Sequence, residues 1–458
     1  MAPSGESAYD CNRKAGSAWS ALYCGWCRRS AGGSRVRDCP GPSVGRHVSL
    51  RTPARLELPP PPHGDPEWET TMLTLAMVTS FPVALGHVFG GVEAACLNLV
   101  EGLAVRRDVN VHVLSVGRDG PGVEHWDRPR CIVHRLPRQR PAFLTYWNVD
   151  RRRIEAYLRG IGPDLVHVHA WAGWLGPGAP WPRLLTIHGL EEKTLEHEPG
   201  LRSFLKRQVI ARVERRARGR YPWIIAISRY GLDQVRQQVA AEVRFIDNAV
   251  ESAFFNLERS ERPGRLLYIG RIKYTKNVHG LVEMARELKG RGYEFDLVLA
   301  GPAESAYAQR LQSNVDRWGL GGCVRFAGAL SPAGVRRHLA EASCLVLASF
   351  QENAPLVIAE AMASGVPVVA CRVGGIPEMV EDGETGFIVA SGEAAVFADR
   401  VAELLASPAR REEFGRRARA IARQRYHPNV VADKTMAAYR AVSDAAWGRG
   451  ARKPPCPD

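Results

Sequence analysis

The chain has 458 residues, 45% hydrophobic and 24% charged, with a formal net charge of +14, the balance of an ordinary globular protein long enough for two or three domains. No run approaches the roughly 18 consecutive apolar residues of a membrane-spanning helix, and the start of the chain lacks the apolar middle of a secretory signal, which points to the cytosol. The ten cysteines do not suggest a disulfide framework, because Cys96, Cys131, Cys323, Cys344 and Cys371 stand singly in apolar segments.

Residues 1–71 are rich in Gly, Ser, Arg and Pro and show no sustained period, so they read as a disordered extension. Cys24 and Cys27 form a C-x-x-C there, flanked by Cys11 and Cys39, but no histidine lies close and no zinc-ribbon pattern surrounds them. From Met72 the texture changes to a strand, a glycine-containing loop, an amphipathic helix and a second strand. Short apolar strands then recur at 164–170, 183–189, 223–228 and 242–248. A second series lies at 265–270, 295–301, 323–328, 344–349, 366–371 and 385–390, with helical stretches between. Strands that are apolar throughout and alternate with helices predict an α/β protein with two doubly wound, Rossmann-like parallel sheets. The boundaries are an N-terminal domain at 72–250, a polar linker at 251–264, "ESAFFNLERSERPG", and a C-terminal domain at 265–428. A helix at 429–447 is expected to pack back on the first domain, ahead of a tail at 448–458. Two such domains face each other across a cleft, and ligands bind outside the carboxyl ends of their strands.

The loops after the strands therefore hold the candidates. "GRIKYTKN" places Arg271 and Lys276 beside a helix that begins near Asn277. Two cations at a helix N-terminus suit a diphosphate; a solvated basic turn is the plain alternative. Gly90 and Gly91 open a helix and permit close backbone approach, without the G-x-G-x-x-G dinucleotide pattern. His188 ends "LLTIH" just past a strand, where it reads as structural or catalytic.

In "SFQENAPLVIAEAMASG", the loop carries Glu352, Pro355 falls in the first helical turn and Gly365 near the helix end. The N–H groups of Leu356 and Val357 are left unpaired by the helix and can bind phosphate. Glu360 lies about a turn and a half inside the helix, between apolar neighbours. Either it faces solvent or it is buried and needs partners such as sugar hydroxyls.

This E-x7-E arrangement, followed by "AMASGVPVVACRVGGIPEMVEDGETGFIV", resembles the donor-binding signature of the retaining GT-B glycosyltransferases of family 4. "FGGVEAACLNL", "DLVHVHA", "LLTIHG", "IIAISRYGLDQV", "YIGRIKYTKN" and "VRFAGALSPAGV" follow in the family's order, so the resemblance spans residues 73 to 445. It implies a metal-independent transferase that moves a hexose-type sugar from a nucleotide-diphosphate sugar to a glycan or lipid-linked acceptor, with no cofactor. It also implies roles for individual residues. Glu352 contacts the sugar, Glu360 the ribose, and Arg271 and Lys276 the diphosphate. Gly90 and Gly91 close from the other domain, His188 sits beside the reacting sugar, and Asn353, Leu356 and Val357 complete the donor site.

Two departures stand out. "NAVE", Asn248 to Glu251, replaces the usual Asn-Gly-Val-Asp, so its turn is either rebuilt or strained. "ENAP" replaces the commoner "EGFG", which stiffens the approach to the sugar. The segment 202–220 carries eight Arg or Lys against one Glu, with Leu205, Val209 and Val213 spaced by four. It reads as a basic amphipathic helix that suits an anionic membrane surface. Nucleic acid is not an expected partner, since the basic residues lack interleaved aromatics. The rivals are a UDP-sugar epimerase of the same fold and a non-catalytic partner subunit.

Overall fold

The computed structural model describes residues 72–82, 90–117, 122–125, 130–137, 149–194, 196, 201–390 and 393–448. The extension at 1–71 with its C-x-x-C, loop residues 83–89 and tail residues 449–458 lie outside them. The N-terminal half runs β1 (Leu73–Thr79), α1 (Gly91–Ala104), β2 (Val109–Gly117), β3 (Gly122–His125), β4 (Cys131–Pro137), α2 (Val149–Ile161), β5 (Leu165–His169), β6 (Arg183–Ile187), α3 (Glu191–Thr194), α4 (Leu201–Arg218), β7 (Trp223–Ala226), α5 (Arg229–Asp233) and β8 (Glu242–Phe245). Among the described residues its strands make an eight-stranded sheet, β3-β4-β2-β1-β5-β6-β7-β8. All pairs are parallel except β3 with β4. That antiparallel edge is the departure from the expected all-parallel sheet. The segment "CIVHRLP" interleaves His134 and Arg135 with its apolar residues, yet both are buried.

Strand β1 shows why two faces are covered. Leu75 and Met77 point into one apolar layer with α1, whereas Ala76 and Val78 point into the other with α2.

The C-terminal half runs α6 (Ser252–Phe255), β9 (Arg265–Ile269), α7 (Val278–Gly290), β10 (Asp296–Ala300), α8 (Ser305–Arg317), β11 (Val324–Gly328), α9 (Pro332–Glu341), β12 (Cys344–Leu347), α10 (Leu356–Ala363), β13 (Val368–Cys371), β14 (Gly386–Val389), α11 (Ala394–Ala406), α12 (Pro408–Arg425) and α13 (Pro428–Trp447). Its six strands are parallel in the order β11-β10-β9-β12-β13-β14.

Two connections differ in character from a free linker. In the stretch expected as polar linker, α6 buries Phe254 and Phe255 in the C-terminal core beside Leu266, and Glu251 pairs with Arg336 at 2.7 Å. The "NAVE" turn is rebuilt, not strained. Among the described residues only Arg130, Ala170 and Asn277 are non-glycines at positive φ, and Ala249 is buried with its carbonyl accepting from Asn98 Nδ2 at 2.9 Å. Helix α13 returns to the N-terminal half and buries Val431, Met436 and Tyr439 in the layer that holds Leu99 and Leu103 of α1. Each such side chain contributes roughly 1.5–3 kcal/mol. Gly102 permits the approach, since a Cβ there would lie 2.7 Å from the Pro428 carbonyl oxygen.

Candidate active site

The C-terminal ends of both sheets converge on one cleft. His169 ends β5, His188 follows β6 and Ser228 follows β7; opposite them Arg271 and Lys276 follow β9, Glu352 follows β12 and Gly374 follows β13.

On the C-terminal side, Lys276 Nζ lies 2.6 Å from Glu352 Oε1, and Ser349 Oγ donates to the same oxygen at 2.7 Å. The two groups expected at different parts of the donor are therefore paired with each other. Phe350 N donates to Thr275 O at 3.1 Å, which ties the two loops together, and the exposed rings of Tyr274 and Phe350 meet with centroids 5.4 Å apart. Arg271 is exposed, and no hydrogen bond or ion pair holds its guanidinium among the described residues, while its carbonyl accepts from Tyr268 Oη at 2.8 Å.

Helix α7 does not offer the open N-terminus expected beside these cations. Asn277, left-handed at φ 46°, caps it by accepting from Gly280 N, and His279 N donates to Tyr307 Oη at 3.1 Å. Helix α10 is the open one. Pro355 is its N-cap, one position outside the first turn, and no side chain caps the helix, so the N–H groups of Leu356 and Val357 lack a side-chain cap.

The loop before α10 lies flat on Gly374 and Gly375. A Cβ at Gly374 would fall 1.6 Å from Glu352 O, and one at Gly375 would fall 2.1 Å from Asn353 O, so only glycine fits either place. Glu360 is half-buried on α10 with no hydrogen-bond partner for its carboxyl among the described residues. Burial, with a smaller effect from the Glu251 carboxylate, pushes it up to about 7. Partial burial favours the partnered reading over the solvated one, and hydroxyl groups suit such a carboxyl.

On the N-terminal side the chemistry is neutral. His169 Nδ1 lies 2.9 Å from His188 Nε2 with the rings stacked, and His169 Nε2 lies 3.2 Å from His167 Nδ1. His167 in turn meets Tyr439 Oη and Thr186 Oγ1, each at 2.7 Å. Burial lowers His188 to about 4, opposed in part by a hydrogen bond to the Asn248 side chain, and holds His167 and His169 well below the usual imidazole range. All three are uncharged at neutral pH. Ala170, at φ 67°, turns the chain immediately after His169, with Trp171 N donating to His169 O at 2.8 Å, a three-residue turn that is strained for a residue with a Cβ. Cys96, His169 and His188 each place a ligand atom within 4.8 Å of the others, with Cys96 Sγ meeting Thr79 Oγ1 and the two imidazoles bonded to each other.

Gly90 and Gly91 open α1 without a side-chain cap, both exposed and with open space where a Cβ would stand. Ala94, one turn on, packs against the C-terminal core, so this helix start faces the cleft. Among the described residues no backbone hydrogen bond joins either glycine to the other candidates.

Direct contacts join the two sides. Asn353 Oδ1 accepts from Ser228 Oγ at 2.5 Å, and its Nδ2 donates to His188 O at 2.9 Å. Glu378 accepts from Arg229 N at 2.7 Å and from Tyr230 N at 2.8 Å, and Arg425 pairs with Asp247 at 2.7 Å. Sequence reasoning missed Ser349, Ser228, Glu378 and His169. The S-x-x-G of "SRYG", a helix-cap pattern, and the H-x-H of "LVHVH" were the available signals.

Residues 250–421 match the family described as "Glycosyl transferases group 1", and residues 89–254 match "Glycosyltransferase Family 4". The glycogen synthase of Mycobacterium tuberculosis is 30% identical over 307 residues, spanning 65% of this chain and 72% of that protein. The sucrose-phosphate synthase of Thermosynechococcus elongatus superimposes with a TM-score of 0.70 at 23% identity, over 81% of this chain and 100% of that one. Anabaena HepE, solved in complex with UDP and glucose, superimposes with a TM-score of 0.63 at 19% identity, over 80% of this chain and 99% of that one. With both halves matched in chain order onto one two-sheet fold, the chain belongs to the GT-B glycosyltransferases of family 4.

Proposed function

We propose that this glycosyltransferase retains anomeric configuration, and that it moves a hexose-type sugar from a nucleotide-diphosphate sugar to a glycan or lipid-linked acceptor without a metal. The observation that carries the reading is the Lys276–Glu352 pair beside the uncapped start of α10, with Glu360 farther along the same helix. In transfer, the bond from the sugar's anomeric carbon to the diphosphate breaks and its electron pair leaves with the phosphate oxygen. The acceptor hydroxyl oxygen bonds the same carbon, and its proton goes to the departing phosphate on the same face. Negative charge thus grows on the diphosphate, where Lys276, Arg271 and the N–H groups of Leu356 and Val357 stabilise it. Glu352 contacts the sugar, and Glu360, its pKa raised toward neutral by burial, exchanges hydrogen bonds with ribose hydroxyls. Gly90 and Gly91 approach the phosphates from the facing half. His188, neutral and bonded to His169, lines the sugar without acting as its charge partner. The neighbour solved with UDP and glucose supports a nucleotide-sugar donor.

Helix α4 supports a membrane-associated acceptor. Phe204, Leu205 and Val209 are 49%, 56% and 60% exposed, while Ile210 and Ala217 face inward, so the apolar stripe lies outside among Lys206, Arg207 and Arg212. That combination suits an anionic bilayer. Among the described residues no helix is long and apolar enough to cross one. Co-sedimentation with phosphatidylglycerol vesicles, reduced by Leu205→Glu, is the expected result; unchanged sedimentation removes this part of the reading.

The deciding experiment is nucleotide release over a panel of GDP- and UDP-sugars with metal chelated, followed by assignment of the product anomer. Release with one donor, lost in Glu352→Ala and Lys276→Ala, is expected. Binding without release for every donor would favour a non-catalytic partner, and donor isomerisation without an acceptor would favour an epimerase.

A further inference from the structure

We propose that Asn353 is a positioning residue that ties the donor loop to His188 and so sets the separation of Glu352 from His188 across the cleft. The kinetic consequence rests on the glycosyl-transfer reading above; the contacts do not. Asn353 was expected to touch the donor, but its side chain is turned to the facing half of the molecule. Its Oδ1 accepts from Ser228 Oγ at 2.5 Å, and its Nδ2 donates to His188 O at 2.9 Å and lies 3.5 Å from Ile187 O. The same Ser228 hydroxyl accepts from Gly231 N at 2.9 Å as the N-cap of α5, so it both donates and accepts.

The fit is specific to an asparagine. A Cβ at Gly231 would lie 2.5 Å from Asn353 Oδ1, and a Cβ at Gly375 would lie 2.1 Å from Asn353 O and 2.9 Å from Ser228 Cβ. Glycine at both positions leaves room for one amide. A carboxylate in its place would face two carbonyl oxygens without a donor to offer them.

What the tie connects gives it consequence. Glu352, the preceding residue, is held by Lys276 and Ser349; the His188 ring is held by His169. Each is fixed within its own half, and Asn353 fixes one against the other. The contacts of Glu378 and Arg425 join the same halves elsewhere. Loss of Asn353 therefore displaces the His188 loop locally and leaves the halves together.

The test compares wild type, Asn353→Ala, Asn353→Asp and Ser228→Ala in the full chain. With the sugar nucleotide that wild type turns over, Asn353→Ala should lower kcat by up to about 10²-fold, the cost of roughly an ångström of misplacement, with donor KM within about twofold. Asn353→Asp should fall further. Adding Ser228→Ala to Asn353→Ala should lower kcat little further, because the two share one contact, while the lost α5 cap shows separately as reduced stability. Amide hydrogen exchange at buried Leu190 and at Lys193, whose N–H donates to Leu190 O at 3.0 Å, with no nucleotide present, should quicken in Asn353→Ala. This arm needs no turnover. A wild-type chain inert toward every sugar nucleotide would sink the transfer reading while exchange still decides the contact. Unchanged exchange at those amides, or a raised donor KM at constant kcat, overturns the proposal.

Discussion

The two halves present different chemistry to the same cleft. The C-terminal half brings charge and an open helix end, with Lys276 on Glu352, an exposed Arg271 and the uncapped α10. The N-terminal half brings buried imidazoles bonded to one another and to Tyr439, with no carboxylate among those bonds. In the proposed reaction, charge stands where a diphosphate is held and its departure stabilised. Uncharged rings stand on the facing side, since an imidazole buried without an anion cannot ionise cheaply.

The largest test of that contrast is Glu352→Gln against His169→Ala. Glu352→Gln leaves Lys276 without its anion and should lower nucleotide release by about 10²–10³-fold. His169→Ala removes one hydrogen bond from the His188 ring and should cost less. Equal losses would erase the distinction between a charged and a positioning half.

Acid should separate the halves next. His112 and His188 are lowered from their ordinary 6.5 to about 4, and His167 and His169 lie well below it. Between those values the unfolded chain binds more protons than the folded one. Their stability is thus fully present above pH 6.5 and is lost as pH falls toward 4. Glu360 has the opposite sign: raised from 4.5 to about 7, it favours the folded state below pH 4.5, and that contribution disappears as pH rises through 7. Hydrogen exchange at pH 5 should show β5 and β6 losing protection before β9 and β12. Simultaneous loss, or the reverse order, contradicts the assignment.

A smaller effect is expected from salt. Added salt should weaken nucleotide binding through the exposed Arg271, and Arg271→Gln should flatten that dependence while His169→Ala leaves it unchanged. The smallest concerns Ala170. Left-handed backbone costs a residue with a Cβ about 1–2 kcal/mol, against about 0.5–1 kcal/mol of chain entropy for glycine. Ala170→Gly should raise the urea midpoint slightly; a lower midpoint would show that the turn is not strained.

Much of the fold was legible because buried parallel strands are apolar on both faces, as in "LVHVH" and "CLVL". The edge at β3 and β4 was not, since His134 and Arg135 interrupt the apolar pattern and are accommodated only by neighbours distant in sequence. At the site, the E-x7-E spacing located Glu352 and Glu360. It did not reveal that α7 is capped by its own Asn277 while α10 stays open, although Asn277 can accept a capping bond and Pro355 cannot.

The sequence by itself determined the two-sheet architecture, the loops that carry the chemistry and the residue types in them, since strand burial, helix starts and charge are local properties of the chain. Tertiary structure decided the pairings: Lys276 with Glu352, His169 with His188, and Asn353 with Ser228 and the His188 carbonyl. Those partners lie 76, 19, 125 and 165 positions apart, and only the packing of strands and halves brings such groups within hydrogen-bond reach.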